Sequence, residues 1–245
     1  MPVSSYNRDT FVAFLDISGF KELMRENKAY DALDIFYQKG YEAIGNQPNG
    51  NEYKVNGIFV SDSAVLFVEG NNPKIDEKKR LISLLSQIKK INEEMKKEGF
   101  MLTTSIAYGN FKYEKRIEVK HIGKDLIIGE AYISAFLDNE KWKPKIQPGQ
   151  CRIVSKNLPD DVKAAIDNID KRNDLDEEVA RVFKMIMKSN NGKHYYYYWM
   201  AKNKDDIERI KKAYKSAQDT LRDDYKSAEK LAYSKILEAL NGNSN

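Results

Sequence analysis

The sequence has little of what usually identifies a protein at sight. A single cysteine, Cys151, stands in 245 residues, so no disulfide can close within the chain and a reducing compartment is the default setting. At the head of an expected strand, it reads as a small core residue and not as a nucleophile. The two histidines, His121 and His194, have no Cys or His neighbour at ligand spacing, which argues against zinc. Charge of one sign is lacking too. Against 41 basic side chains stand 37 acidic ones, a net charge of +4, and no basic run interleaved with aromatics suggests a nucleic-acid partner. Lys78, Lys79 and Arg80 sit among acids and read as a solvated helix face. No segment approaches the ~20 apolar residues that cross a bilayer, and residues 1–10 lack the basic and apolar regions of a signal peptide. A cytoplasmic protein without membrane or nucleic-acid partners is expected. No repeat or linker divides the chain, which is long enough for one sizeable core.

What is present centres on Phe11, Val12, Ala13, Phe14, Leu15, Asp16, Ile17, Ser18, Gly19 and Phe20. This apolar run reads as a buried strand with Asp16 at its carboxyl end and a small-residue turn behind it. An ionised carboxylate beside a buried strand needs a partner, because an unpaired buried charge is costly. The partner is sought in a second segment, where apolar runs flank Ser61, Asp62 and Ser63 and suggest a hairpin with Asp62 at its tip. Two carboxylates brought together repel unless a divalent cation lies between them. Such a pair suits two-metal phosphoryl chemistry, with cations roughly 3.5–4 Å apart. The N–H groups of Ser18, Gly19 and Phe20, with Ser18 capping the helix that follows, form a natural phosphate seat.

The remaining pattern predicts a helix over residues 20–45, a loop over 46–51 and the hairpin over 52–60 and 63–69. A helix over 74–97 follows, with Leu81, Leu84, Leu85, Ile88, Ile91 and Met95 on one face. A strand is expected over 101–108, then a polar stretch over 112–120 that leads into another strand, with a turn at Gly123, Lys124 and Asp125. A short helix over 129–138 precedes a strand at Arg152, Ile153 and Val154. Two amphipathic pieces lie near 160–169 and 175–187. The aromatic run 194–200 reads as a strand that closes the sheet rather than a stacking platform. The predicted fold is α+β, a ferredoxin-like palm with helices on one face of the sheet. Residues 203–240 are expected to form a long helix, whose Ile207, Ile210, Tyr214, Ala217, Leu221, Ala228 and Leu231 fit a seam that Asp224 interrupts. It either pairs with a second copy or lies across its own domain.

The run Asp16 to Phe20, the Ser-Asp-Ser hairpin, then Ser105 to Phe111 and Gly129 to Tyr132, in that order, resemble the class III nucleotidyl cyclases. Among these they are most similar to the bacterial pyrimidine cyclases of Pycsar antiphage systems. The resemblance covers about residues 8–200, leaving 203–240 as an appended helix. It implies closure of a nucleoside triphosphate, UTP ahead of CTP, to a 3′,5′-cyclic nucleotide in a homodimer, and a separate effector that reads the product. It also implies two Mn²⁺ or Mg²⁺ ions on Asp16, Asp62 and the carbonyl of Ile17, with Ser18, Gly19 and Phe20 on the phosphates. Asn56, Phe59 and Asn110 would meet the nucleotide. The family's transition-state Asn and Arg fall here on Ile133 and Leu137, leaving Asn110, Asn139, Arg116 and Lys193 as polar candidates to replace them. Its purine-reading positions fall on Ile58 and Leu126, or on Asp125 after a one-residue shift. A degenerate domain that binds nucleotide or only dimerises is the alternative.

Overall fold

Alternation along the first strand sets the architecture. In β1 (Tyr6–Ile17), Phe11, Ala13, Leu15 and Ile17 join one buried cluster while Val12 and Phe14 join another, so both faces of this strand are covered. The computed structural model describes residues 5–48, 52–70, 76–119, 122–141 and 143–220, with residues 234, 236 and 238. The expected loop residues 49–51, the helix start at Lys74, His121, residues 1–4 and most of the expected helix beyond Thr220 lie outside them.

After β1 come α1 (Phe20–Arg25), α2 (Ala29–Gly45), the hairpin β2 (Val55–Val60) and β3 (Ser63–Val68), α3 (Glu77–Lys97) and β4 (Leu102–Val119). Their strands run in the order β2-β3-β1-β4, each pair antiparallel, which is the ferredoxin-like palm. Then follow β5 (Ile122–Ile128), α4 (Glu130–Glu140), β6 (Cys151–Val154), α5 (Asp160–Asp167), α6 (Glu177–Phe183), β7 (Ile186–Lys188), β8 (His194–Tyr197) and α7 (Lys204–Thr220). β6, β8 and β7 extend the sheet beyond β4, and β5 pairs with the far half of β4.

Several expectations need correction. The helix over 20–45 is two helices, because Asn27 adopts a left-handed φ of 57°. Asn27 N–H and Lys28 N–H bond back to the carbonyls of Met24 and Leu23, a Schellman stop with asparagine in the position glycine usually fills. The polar residues 112–119 continue β4, and Gly123, Lys124 and Asp125 lie inside β5 rather than in a turn. Past Tyr113 the strand has left β1 and pairs with β5 alone, so it carries no apolar alternation. Residues 186–188 are strand, not the end of a helix, and β7 rather than β8 closes the sheet. Arg80 is not on a solvated face. Its side chain is buried and donates to the Tyr6 hydroxyl, the Asp9 carbonyl and the Glu77 carboxylate, pinning the start of α3 to the start of β1.

The helices do not share one face. α2, α3, α5 and α6 cover the face of Phe11 and Leu15, whereas α4 lays Ala131 and Ala135 against the face of Val12 and Phe14. The far end of α4 is fastened by a buried polar cluster. Asp138 takes bonds from Arg152 Nε at 2.6 Å and Nη2 at 2.9 Å and from the Ser105 hydroxyl at 2.7 Å, and its Oδ1 lies 2.8 Å from His194 Nε2. Burial pushes the Asp138 carboxyl up, but the bonds from His194, Arg152 and Ser105 outweigh it and hold the group below its ordinary range.

Arg152→Met strands a buried carboxylate and is expected to cost about 3–5 kcal/mol. Urea denaturation at neutral pH measures the loss directly, and a change under 1 kcal/mol would show that the cluster is not a fastening.

Candidate active site

The antiparallel pairing of β1 with β3 sets Asp16 directly opposite Ser63, whose hydroxyl donates to Asp16 Oδ1 at 2.9 Å. The hairpin turn that carries Asp62 needs a left-handed residue, and Ser61 supplies it with a φ of 54°. Ile17 N–H then donates to the Asp62 carbonyl at 2.9 Å, tying the hairpin tip to the end of β1. Asp16 and Asp62 are thus brought together.

The field at Asp16 is unbalanced. Burial, opposed by the Ser63 hydrogen bond and reinforced by the charges of Asp62 and Glu140, pushes its carboxyl up to about 7. Among the described residues no basic side chain contributes there. Glu140, at the end of α4, was not anticipated; no motif marks it, and only the packing of α4 across β1 and β4 brings it near. Beside it Asn139 accepts a bond from the Thr103 hydroxyl at 3.1 Å, and Thr103 is the β4 neighbour of Asp16.

The turn after Ile17 differs from expectation in two ways. Ser18 does not cap α1: Gly19, at φ 70°, is the N-cap residue, and the Ser18 hydroxyl is buried without a partner. Nor is the Ser18 N–H free, since it donates to the Met101 carbonyl at 2.9 Å. The open backbone donors are those of Gly19, Phe20 and Lys21, which make no hydrogen bond among the described residues. A phosphate seat here therefore lies one residue further along than the sequence suggested.

Asn56 and Phe59 cannot act together, because residues three apart on a strand face opposite ways. Asn56 shares the α4 face with Ile58 and Phe14; it is 7% exposed and its amide nitrogen has no partner. Phe59 points to the other face, where its ring packs on Phe36, Tyr37 and Tyr41 and leaves no room for a Cβ at Gly40. Phe59, expected to meet the nucleotide, instead packs under α2 on the face opposite Asn56.

Register also measures separation. Asn56 sits opposite Phe67, which faces Val12, four residues from Asp16 and so roughly 14 Å along the sheet. Asn110 faces Asp9, seven residues and roughly 24 Å away. The side-chain oxygen of Asn110 accepts the Glu130 N–H at 2.9 Å and so caps α4. Ile133 on α4 is 52% exposed, and Lys193 is exposed beside β8. The Arg116 and Asp125 side chains lie outside the described set.

Comparison with known structures places this geometry. The adenylyl cyclase CyaB from P. aeruginosa superposes with a TM-score of 0.50 at 15% identity, over 79% of this chain and 95% of that one. A non-canonical dimeric guanylyl cyclase domain of the RhoGC fusion protein from the aquatic fungus Blastocladiella emersonii also gives 0.50, at 11% identity over 79% and 96%. The chain has the class III cyclase catalytic fold. No protein-family model matches it, and no curated protein sequence does. Within this cyclase fold, Asp16, Asp62 and the turn 17–21 occupy one end of the palm.

The donor set suits a hard divalent cation: carboxylate and main-chain oxygens, an excess of negative charge and no competing base. Among the described residues no cluster of three His, Cys, Asp or Glu side chains could hold a metal, so Asp16 and Asp62 would carry the ligation with main-chain oxygen. No helix among these residues is long and apolar enough to cross a membrane.

With an ordinary carboxyl near 3.8 and Asp16 near 7, the folded chain keeps a proton that the unfolded chain has released. Metal-free stability should therefore fall as pH rises from about 4 to about 7. Asp16→Asn should remove that slope and leave the metal-free protein about 1–3 kcal/mol more stable than wild type at pH 8. Urea titrations in chelator at pH 4 and pH 8 check this; a variant less stable than wild type at pH 8 would contradict it.

Proposed function

We propose that this chain is a nucleotidyl cyclase that converts a pyrimidine ribonucleoside triphosphate, UTP ahead of CTP, to its 3′,5′-cyclic monophosphate and pyrophosphate. The observation that carries the reading is the convergence of Asp16 and Asp62 on the Ile17–Asp62 bond, at one end of a cyclase palm. In the reaction the ribose 3′ oxygen bonds to the α-phosphorus, and the bridge to the β-phosphate breaks. Two Mn²⁺ or Mg²⁺ ions on Asp16, Asp62 and the Ile17 carbonyl would supply positive charge to the phosphate oxygens. The chain's own part is positional. The open N–H groups of Gly19, Phe20 and Lys21 receive phosphate oxygens, and Ser63 fixes which way the Asp16 carboxylate turns.

Apolar side chains on β2 and β5 support the pyrimidine preference. Ile58 and Leu126 stand where the resemblance would put polar purine readers, while Asn56 offers one buried amide on the α4 face. An amide both donates and accepts, which suits uracil and tolerates cytosine. Asn110 and Asn56 lie far along the sheet from Asp16, so a head-to-tail homodimer with shared sites gives them a place at the partner's nucleotide. A guanylyl cyclase domain among the structural neighbours is itself dimeric, in an arrangement described as non-canonical. An antiphage role, with a separate effector that reads the cyclic product, rests on the sequence resemblance alone, as does a cytoplasmic location.

One observation favours a second reading. Ile133 and Leu137 replace the amide and guanidinium that the family uses in the transition state, and Ile133 is exposed. A nucleotide-binding domain without turnover is the alternative.

Equal concentrations of the four ribonucleoside triphosphates with Mn²⁺ are expected to yield mainly cyclic UMP, with some cyclic CMP. Asp16→Asn and Asp62→Asn should each reduce turnover about 100-fold or more while the protein stays folded. Mainly cyclic AMP or cyclic GMP would overturn the pyrimidine assignment, and metal-dependent nucleotide binding with no product would favour the alternative. Sedimentation at micromolar concentration should give a dimer; a fully active monomer would remove the shared site.

A further inference from the structure

The carboxyl-terminal helix has no part in the chemistry just described, yet it packs in one cluster with Met101, the residue whose carbonyl holds the turn on which that chemistry depends. Ile207 and Ile210 of α7 are 1% and 2% exposed, and with Tyr214, Ala201 and Ile236 they enclose one residue from the palm, Met101. This cluster is separate from the two that flank the sheet. Met101 immediately precedes β4, and its carbonyl holds the Ser18 N–H at 2.9 Å. Ser18 lies two residues from Asp16 and one from Gly19. The path from α7 to the candidate phosphate seat therefore has two contacts, a side-chain packing and a hydrogen bond.

The packing is close. Gly149, at φ 79°, bonds through its N–H to the Leu102 carbonyl and accepts from Trp199 Nε1. A Cβ placed there would come within 3.0 Å of the Tyr214 hydroxyl and 3.3 Å of the Met101 sulfur. The loop before β6, the residue before β4 and α7 thus approach closely at Met101, beside a small cavity lined by Gly149, Cys151, Tyr198, Ile210 and Tyr214, and the Tyr214 hydroxyl is buried without a partner among the described residues. Close-packed contacts transmit a displacement instead of absorbing it.

We propose that Met101 is a positioning residue through which α7 holds the turn 16–20, so that docking of the carboxyl-terminal helix sets how well the site binds metal and nucleotide. The proposal rests on the cyclase reading for its functional consequence, but the coupling itself is a property of the fold. Displacing Ile207 and Ile210 from Met101 would then loosen Ser18, and with it Asp16 and Gly19.

The test uses the full chain with Ile210→Ala and the milder Ile210→Val, which retains the fold if the first does not. Val179→Ala, in the separate core beneath α6, is the control for general destabilisation. Amide hydrogen exchange at Ser18 in the metal-free protein is expected to accelerate at least tenfold in the Ile210 variants and not in Val179→Ala. Mn²⁺ affinity should weaken at least threefold in the same variants only. Tyr214→Phe, which removes the unpartnered hydroxyl, should slow Ser18 exchange. Unchanged Ser18 exchange in the Ile210 variants, or an equal change in Val179→Ala, overturns the proposal. Accelerated Ser18 exchange in the Ile210 variants, together with a wild-type protein that binds no Mn²⁺, would leave the coupling standing and count against the cyclase reading.

Discussion

Two carboxylates at one end of a sheet are the constraint to which the surrounding structure answers. Asp16 is half-buried and feels the charges of Asp62 and Glu140, and its acid form is favoured up to about pH 7. A metal-free protein thus carries a destabilising crowd of negative charge where packing alone would put an apolar residue. Only one hydrogen bond from a neighbouring side chain, that of Ser63, eases it. The backbone is held much more firmly. Ile17 N–H is fixed to Asp62, Ser18 N–H to Met101, and β1 is paired along both edges. A site whose backbone is rigid and whose charge is unmet is preorganised for a cation.

The same sheet separates two tasks by face. Alternation along β1 sends Phe11 and Leu15 into the larger core under α2 and α3, where Phe59 also packs. It sends Val12 and Phe14 to the α4 side, the side that carries Asp16. The larger core lies on the first face, and the candidate site stands at the end of the second. Mutations under α2 should for that reason act on folding long before they act on the metal end, whereas changes in α4 touch both.

Much of this was legible in the residues, and the exceptions have physical causes. The strand 11–17 and the hairpin around Asp62 stand out because a strand covered on both faces is nearly all apolar, so any acid in it is conspicuous. The break at Asn27 was hidden because apolar residues recur at helical spacing on both sides of it, although asparagine is a residue that tolerates the left-handed turn. Residues 112–119 looked like a connection because a strand that has left the core has nothing to bury. Phe59 was readable and missed: counting in twos from Asn56 puts it on the opposite face. The partner of the Ser18 N–H was not readable at all, since Met101 reaches it only through the tertiary fold. Glu140 belongs to the same class, being close to Asp16 only because α4 crosses β1.

That crossing explains why a buried ionic cluster persists at Asp138. Ion pairs taken out of water contribute little net stability compared with apolar packing, but they fix geometry, because a displaced partner leaves a charge buried alone. α4 is held at its start by Asn110 on Glu130 N–H and at its end by Arg152, Ser105 and His194 on Asp138. Asn139 and Glu140 follow Asp138 directly, so the cluster sets where an amide and a carboxylate stand relative to Thr103 and Asp16. A slip of one helical turn, about 5.4 Å, would carry Glu140 away and change the field at Asp16 substantially, since Coulomb terms at such range vary steeply with distance. A helix anchored by apolar contacts alone could make that slip at small cost. The buried carboxylate forbids it, and the electrostatics at the end of β1 thereby become a property of the fold.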